Sequence, residues 1–166
     1  MADNWNDAVK EWSVIKGCDE DEKCLSTCVC GHSGIRYLYT IHNDVTDADL
    51  SPIGSSCITK IDNRELSKSL STWQQLIKLV KRAKRHERIE LTSEYFSRNL
   101  LKLLKDQGAF QPSIYNKLNG DNDYLFMIDM FNKRDKSSIS PHMNSKIDAI
   151  IVSSLKPFLS KYSDED

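Results

Sequence analysis

The sequence lacks a long hydrophobic run and a secretion signal. No apolar stretch approaches the roughly 20 residues that a helix needs to cross a bilayer. The start of the chain, Met1-Ala2-Asp3-Asn4, has neither the basic nor the apolar region of a signal peptide. We therefore expect a protein that is made and kept in a cytoplasm. Because 39% of its 166 residues are hydrophobic, the chain can still bury a core, in one ordinary domain or in two small lobes.

Familiar catalytic motifs are absent as well. The chain has no glycine-rich phosphate loop, no His-Glu-x-x-His pair and no Gly-x-Ser-x-Gly turn. The sequence Asp121-Asn122-Asp123 begins like a calcium loop but lacks the glycine and the distal glutamate of such a loop, which favours a helix cap instead. Because no acid–base pair and no activated nucleophile stand out, we expect that the protein is not an enzyme.

Cysteine is missing from the last two thirds of the chain, since all five cysteines lie before residue 58. An odd and locally clustered set favours metal binding in a reducing compartment over a secreted disulfide scaffold. Cys28 and Cys30 form a close pair, and Cys57 follows after a strand-like stretch. This arrangement of thiolates predicts one tetrahedral zinc ion with a structural role. We interpret Cys18 as an incidental thiol.

The sequence leaves the fourth zinc ligand open. His32 lies two residues beyond Cys30, and Gly31 between them allows a tight loop that directs both side chains to one centre. Cys24 lies on the other side of the cysteine pair, beside an acidic stretch. We therefore prefer His32, with Cys24 as its rival, and interpret His42 as a strand-end or turn residue. A site with four protein ligands has no open position for water, so hydrolytic zinc chemistry is not expected.

Hydrophobic patterning in the first third of the chain predicts a helix and then a hairpin. Residues 4–15 place apolar side chains at helical spacing, whereas residues 35–41 alternate and are rich in β-branched and aromatic types. A second strand at residues 50–53 would return the chain. Gly54 would then let the backbone bend, so that Cys57 faces the metal at the start of a helix.

From about residue 67 the pattern becomes helical. A second helix is predicted after a cap at Thr92 or Ser93, and a third over residues 121–131. A fourth should begin at Ser140 and end at Pro157. The first of these helices carries an apolar stripe: Leu70, Trp73, Leu76, Ile77 and Val80. In the third helix we expect three side chains to point inward: Leu125, Ile128 and Phe131.

These patterns divide the chain into three parts. We expect a zinc-binding lobe with an N-terminal helix and a β-hairpin over residues 1–66, a helical region over 67–160, and a disordered acidic tail over 161–166. The charges are distributed in a similar way. Residues 1–66 contain six basic and twelve acidic residues, whereas residues 67–136 contain fourteen basic and eight acidic residues, although the net charge of the whole chain is only −1. Such a split favours an interaction protein.

Three segments resemble a known kind of zinc module: Cys28-Val29-Cys30-Gly31-His32, residues 35–43, and Ile53-Gly54-Ser55-Ser56-Cys57-Ile58. They are similar to a treble-clef-like module in small proteins of phages and prophages of Gram-positive bacteria. Residues 91–110 and 130–151 resemble the helical region that accompanies it. The resemblance implies an α+β fold in which a treble-clef-like zinc-binding hairpin lobe precedes a mainly helical region, and it implies a location in the cytoplasm of a bacterial host.

One kind of phage protein combines small size, a structural zinc ion and no catalytic motif: the anti-CRISPR inhibitor of a type II Cas nuclease. A protein of this kind binds the RNA-guided nuclease and blocks target DNA loading or cleavage. The split charge of this chain would let it dock on the basic wall of the channel that holds the heteroduplex or on the recognition lobe of the nuclease. The expected contacts are acidic residues of the first lobe: Asp19, Glu20, Asp21, Glu22, Asp44, Asp47 and Asp49.

The alternative is a nucleic-acid-binding zinc module. Basic residues of the first long helix would then follow the phosphates of DNA or RNA, with an affinity that falls steeply with salt. The net charge of −1 argues against this role. A phage adaptor for another host protein is also compatible with the sequence. The residues of the basic stripe are Lys78, Lys81, Arg82, Lys84, Arg85 and Arg88.

Overall fold

The computed structural model describes residues 5–19, 26–61 and 63–162. The chain divides into two compact units, Met1–Ile77 and Lys78–Asp166. The described strands all lie in the first unit, and the described part of the second is built from helices. The predicted α+β class is confirmed. Among the described helices, none combines the length and the apolar character needed to cross a bilayer.

The first unit begins with less helix than the sequence predicts. The predicted helix over residues 4–15 is wrong beyond Glu11, because the chain there becomes a strand that pairs with residues 37–43. The indole N–H of Trp73 also donates to the carbonyl oxygen of Val14 at 2.9 Å. Both partners are distant in sequence, so local spacing does not reveal them. The elements are α1 (Trp5–Ala8), a 3-10 turn (Val9–Glu11) and β1 (Trp12–Asp19).

Two antiparallel sheets occupy the rest of the first third. The smaller sheet pairs β2 with β3, and the larger has the strand order β1-β4-β5. The strand predicted at 50–53 is confirmed, and the strand predicted at 35–41 is confirmed from Tyr37 onward, whereas Ile35 ends a separate strand of the smaller sheet. Tyr39 and Ile41 are buried, so the middle strand contributes to the core of this unit. The strands are β2 (Ser26–Thr27), β3 (Ser33–Ile35), β4 (Tyr37–Asn43) and β5 (Ala48–Ile53).

Two helices follow the larger sheet. Helix α2 covers Ser55–Thr59, as expected after Gly54, and the long helix α3 covers Arg64–Lys84. The side-chain oxygen of Asn63 accepts the N–H of Glu65, which caps the start of α3. Every residue of the predicted apolar stripe is buried: Leu70, Trp73, Leu76, Ile77 and Val80. Helix α3 continues through both the boundary predicted after residue 66 and the boundary between the compact units.

The helices of the second unit differ from the predictions at their ends. The cap of α4 is Ser97, whose hydroxyl oxygen accepts the N–H of Leu100 at 3.1 Å, and not Thr92 or Ser93. Ser140 caps α6 as predicted, by accepting the N–H of Met143. The elements are α4 (Arg98–Asp106), α5 (Gly120–Asn132), α6 (Pro141–Ile150), a π-helical turn (Ile151–Leu155) and α7 (Lys156–Lys161).

Two further predictions for this unit are wrong. Leu125 does not point inward but is 60% exposed, whereas Met127 and Met130 fill the core from α5. Pro157 does not end the last helix, because helical backbone continues from α6 through the π-helical turn Ile151–Leu155 into α7, and Pro157 lies in the first turn of α7. Residues 163–166 of the predicted acidic tail lie outside the described residues.

Candidate metal centre

A tight turn and a short helix bring three cysteines together. Cys28 and Cys30 lie in the turn between β2 and β3, where the N–H of Cys28 donates to the carbonyl of His32 and the N–H of Gly31 donates to the carbonyl of Cys28, both at 2.8 Å. Gly31 has a φ of 87°, a conformation that glycine adopts without steric cost. Cys57 comes from α2, directly after the β4–β5 hairpin. The predicted meeting of these three residues is confirmed.

The spacing of the three sulfur atoms suits a metal ion. The Sγ atom of Cys57 lies 3.1 Å from that of Cys30 and 3.6 Å from that of Cys28, and all three lie within 4.8 Å of one another. A tetrahedral ion with bonds of about 2.3 Å to sulfur would place its ligands about 3.8 Å apart. A disulfide needs about 2.05 Å, and none of the three forms one. The cluster can therefore hold a metal ion after small adjustments.

Backbone N–H groups stabilise negative charge on the innermost sulfur. Burial raises the pKa of the Cys28 thiol, but hydrogen bonds from the backbone N–H groups of Cys30 and Gly54 and from the neighbouring thiols lower it to about 7. The N–H of Gly54 lies 3.4 Å from the Cys28 sulfur. Hydrogen bonds with Cys30 and Cys28 raise the pKa of Cys57 to about 12. Because three adjacent thiolates repel one another, a cation is needed to ionise them all.

The cysteine turn is also tied to the larger sheet. The N–H of Val29 donates to the carbonyl of Pro52 in β5 at 3.0 Å. Cys28 is buried, Cys57 is half-buried and Cys30 is exposed. The cluster thus lies at the edge of the first unit, with one sulfur in the core and one at the surface. Such a position suits an ion that fixes segments to each other.

A cavity of about 390 Å³ opens on the three sulfur atoms. His32 lines this cavity but does not belong to the group of converging ligand atoms, and its side chain is exposed. Cys24 lies outside the described residues. The fourth ligand therefore remains a prediction, with the same two candidates. Arg36 and Lys60 also line the cavity, and neither was predicted as a site residue. The only sequence feature that could have indicated them is their position next to the cysteine segments.

The acidic residues predicted to contact a partner have different surroundings. His42 Nδ1 lies 2.7 Å from a carboxylate oxygen of Asp49, and its Nε2 lies 3.7 Å from Asp47. The hydrogen bond to Asp49 raises the pKa of His42. His42 is thus paired with acids and is not part of the thiol group. Asp44 is exposed at the end of β4. Asp19 ends β1, and Glu20, Asp21 and Glu22 lie outside the described residues.

The predicted basic stripe is only partly on one helix, because α3 ends at Lys84 and both Arg85 and Arg88 lie beyond it, and several of its charges are neutralised by glutamates. Arg82 pairs with Glu94 at 3.0 Å, and its guanidinium lies 4.5 Å from the centre of the Tyr95 ring. The other pairs join Arg85 to Glu87 at 3.9 Å and Arg88 to Glu90 at 2.9 Å. These acids were not predicted as partners of the stripe, although Glu87 directly precedes Arg88 and Glu90 follows it by two residues in the chain. At least three of the six stripe residues, Arg82, Arg85 and Arg88, therefore have a carboxylate partner.

Comparison of the chain with protein-family models, with curated proteins and with solved structures finds no match.

Proposed function

We propose that the cysteine cluster holds one zinc ion with a structural role. The proposal is supported by three sulfur atoms that converge within 4.8 Å and by the backbone N–H groups directed at Cys28. Thiolate ligands favour zinc over magnesium or calcium, which prefer oxygen. The ion would join the β2–β3 turn to α2, and His32 or Cys24 would complete its coordination.

Elemental analysis of the purified protein tests the metal. We expect one zinc ion per chain, lost in Cys28→Ser and in Cys57→Ser, together with a lower melting temperature because the ion joins distant segments. Cys18→Ser is the matched control, since Cys18 is not among the converging thiols. A Cys57→Ser protein that retains its zinc and its melting temperature would contradict the proposal. The metal content of His32→Ala and Cys24→Ser identifies the fourth ligand.

We further propose that the protein acts by binding, as a phage-encoded anti-CRISPR inhibitor of a type II Cas nuclease. The partner is inferred from the resemblance of the cysteine and hairpin segments to phage zinc proteins. The structural support is the β4–β5 hairpin, where Asp44 and Asp47 are exposed on a turn between two paired strands. A carboxylate surface of this kind would compete with DNA for the basic channel of the nuclease and so prevent target loading.

The nucleic-acid-binding role is the weaker candidate. Arg82, Arg85 and Arg88 each have a glutamate within 4.0 Å. A phosphate would have to displace these carboxylates before it could be bound, which lowers the gain from counterion release. The arrangement therefore favours a solvated, ion-paired surface over a phosphate-binding one.

Guided cleavage of a plasmid in the presence of the protein, run beside a gel shift on bare DNA, tests the binding role. We expect cleavage to fall without any shift. The double variant Asp44→Asn/Asp47→Asn should inhibit less, because it removes two charges from the hairpin. The matched control is Asp129→Asn/Asp148→Asn, which removes two exposed carboxylates from α5 and α6. Full cleavage at excess protein would refute the proposed partner, and a salt-sensitive shift would favour the nucleic-acid role.

A further inference from the structure

The connection between α4 and α5 exposes three large apolar side chains within five residues. Ile114 is 77% exposed, Tyr115 88% and Leu118 71%. With about 200 Å² for each fully exposed side chain, they present roughly 450 Å² to solvent in total, on a single short connection. Large apolar side chains concentrated in this way at the surface are typical of a contact with another molecule.

A buried asparagine fixes the shape of this connection. Asn116 is 2% exposed although it lies between Tyr115 and two exposed residues. Its side-chain oxygen accepts the N–H groups of Ser113 at 2.7 Å and Asn119 at 3.1 Å. Its side-chain nitrogen donates to the carbonyl of Gln111 at 2.9 Å and to the buried carboxylate of Asp123 at 2.7 Å. The 111–119 loop is therefore organised around one side chain that can use its full hydrogen-bonding capacity.

The same loop holds two consecutive residues in the left-handed region. Lys117 has a φ of 58° and Leu118 a φ of 57°, and neither is glycine. Side chains other than glycine adopt this region at a cost, and such strain is concentrated at functional sites. The N–H of Leu118 donates to the carbonyl of Ser113 at 2.8 Å, which holds the turn closed. The fold thus maintains a strained backbone that leaves Leu118 at the surface.

The charges around the loop fit a protein partner better than a membrane. Lys117 is the only charged residue between positions 111 and 120, and the next residue, Asp121, carries a carboxylate that pairs with Lys105 at 3.4 Å. An anionic bilayer would repel that carboxylate and gain little from one lysine. An apolar centre with a sparse rim of both signs is the usual anatomy of a protein–protein interface.

We propose that the 111–119 loop is a preorganised docking element that inserts into an apolar pocket of a partner protein. Tyr115 is the central anchor, Ile114 and Leu118 flank it, and Lys117 faces a carboxylate at the rim of the pocket. Because the loop is already ordered, binding costs little conformational entropy. Aromatic anchors of this kind dominate the binding energy of small interfaces.

Binding to a purified type II Cas nuclease with its guide is the first test, and this arm rests on the proposed function. We expect Tyr115→Ser to weaken binding about thirtyfold, as for a hot-spot tyrosine. Val152→Ser, which removes another exposed apolar side chain in the same unit, should bind like the wild type. If the wild type binds and Tyr115→Ser binds equally well, the docking role is overturned while the inhibitor role stands.

A second experiment is needed if the wild type does not bind the nuclease. That outcome refutes the nuclease as the partner but does not refute the docking role of the loop. A photocrosslinking amino acid at position 115, and at position 152 as control, is then used in bacterial cells. We expect a protein captured only from position 115, whose purified form binds the wild type and loses affinity about thirtyfold for Tyr115→Ser. No capture from position 115, equal capture from both positions, self-crosslinking alone, or binding to anionic vesicles that Tyr115→Ser abolishes would each overturn the proposal.

Discussion

Replacing Asn116 with alanine should destabilise the second unit by about 3 kcal/mol. The substitution removes four hydrogen bonds, of which the one to Asp123 matters most because that carboxylate is buried. An unsatisfied buried charge costs roughly 1.5–3 kcal/mol, although Lys146 at 3.9 Å compensates part of it. The other three bonds involve backbone groups of Gln111, Ser113 and Asn119, near the surface, where water replaces much of what is lost; we count them at about 0.5 kcal/mol each.

Urea unfolding measures this effect separately for each unit. All three tryptophans lie in the first unit, at positions 5, 12 and 73, so their fluorescence reports that unit, whereas the far-ultraviolet circular dichroism contains the helices of the second. With a slope of about 2 kcal/mol per molar urea, the midpoint of the helical signal should fall by about 1.5 M.

Asn122 provides a matched control, because it is a surface amide close to the buried Asn116. Asn122→Ala removes a single hydrogen bond, from the Asn122 side chain to the carbonyl of Asn116 at 2.9 Å, and should cost about 1 kcal/mol. An Asn116→Ala protein that unfolds at the same urea concentration as Asn122→Ala would contradict this prediction. An equal shift of the tryptophan and helical signals, in a protein whose units otherwise unfold in separate transitions, would contradict it as well.

Two further predictions concern the first unit. Gly17→Ala should lower the free energy of unfolding by about 1–3 kcal/mol, because its Cβ atom would lie 2.8 Å from the buried ring of Tyr39; an unchanged melting temperature would contradict this. The Asp49 hydrogen bond raises the pKa of His42 above 6.5, so the stabilisation from this pair is fully present below pH 6.5 and is lost as the pH rises through the folded-state pKa. Between acidic and alkaline pH the wild type should therefore lose more stability than His42→Gln, and parallel stability profiles for the two proteins would show that the pair is not coupled to folding.

The sequence was sufficient wherever local chemistry decides the structure. The cysteine spacing, the strand from Tyr37 onward, the apolar stripe of α3 and the Ser140 cap are all local patterns, and each appears in the structure. Prediction from the sequence failed where a contact with residues far away in the chain determines the structure. Residues 12–15 have helical spacing, but pairing with β4 makes them a strand. Leu125 is exposed because it does not lie on the face of α5 that packs into the core of the second unit. Spacing alone does not determine which face of a helix is buried.

The candidate site shows the same limit. The three thiols were identifiable because metal ligands are chemically distinctive and few. The fourth ligand depends on loop geometry, which the sequence does not determine, so His32 is preferred and Cys24 stays a rival. Asn116 was missed because a buried asparagine in a loop has the same sequence signature as a solvated one. The free positive charge of the basic stripe was overestimated for a related reason. A count of lysines and arginines ignores the glutamates that pair with them, as Glu94 pairs with Arg82.

The two candidate contact surfaces are maintained by different interactions, and this separates their roles. The hairpin acids belong to the unit that contains the cysteine cluster, so loss of the proposed zinc ion should alter how these acids are presented to a partner. The 111–119 loop belongs to the other unit and is held by Asn116 and Asp123, which are not metal ligands. If both surfaces contact one partner, losses of binding free energy from Asp44→Asn/Asp47→Asn and from Tyr115→Ser should add, because independent contributions are additive. A loss that appears with only one of the two changes would mean that a single unit carries the binding function and that the other serves stability.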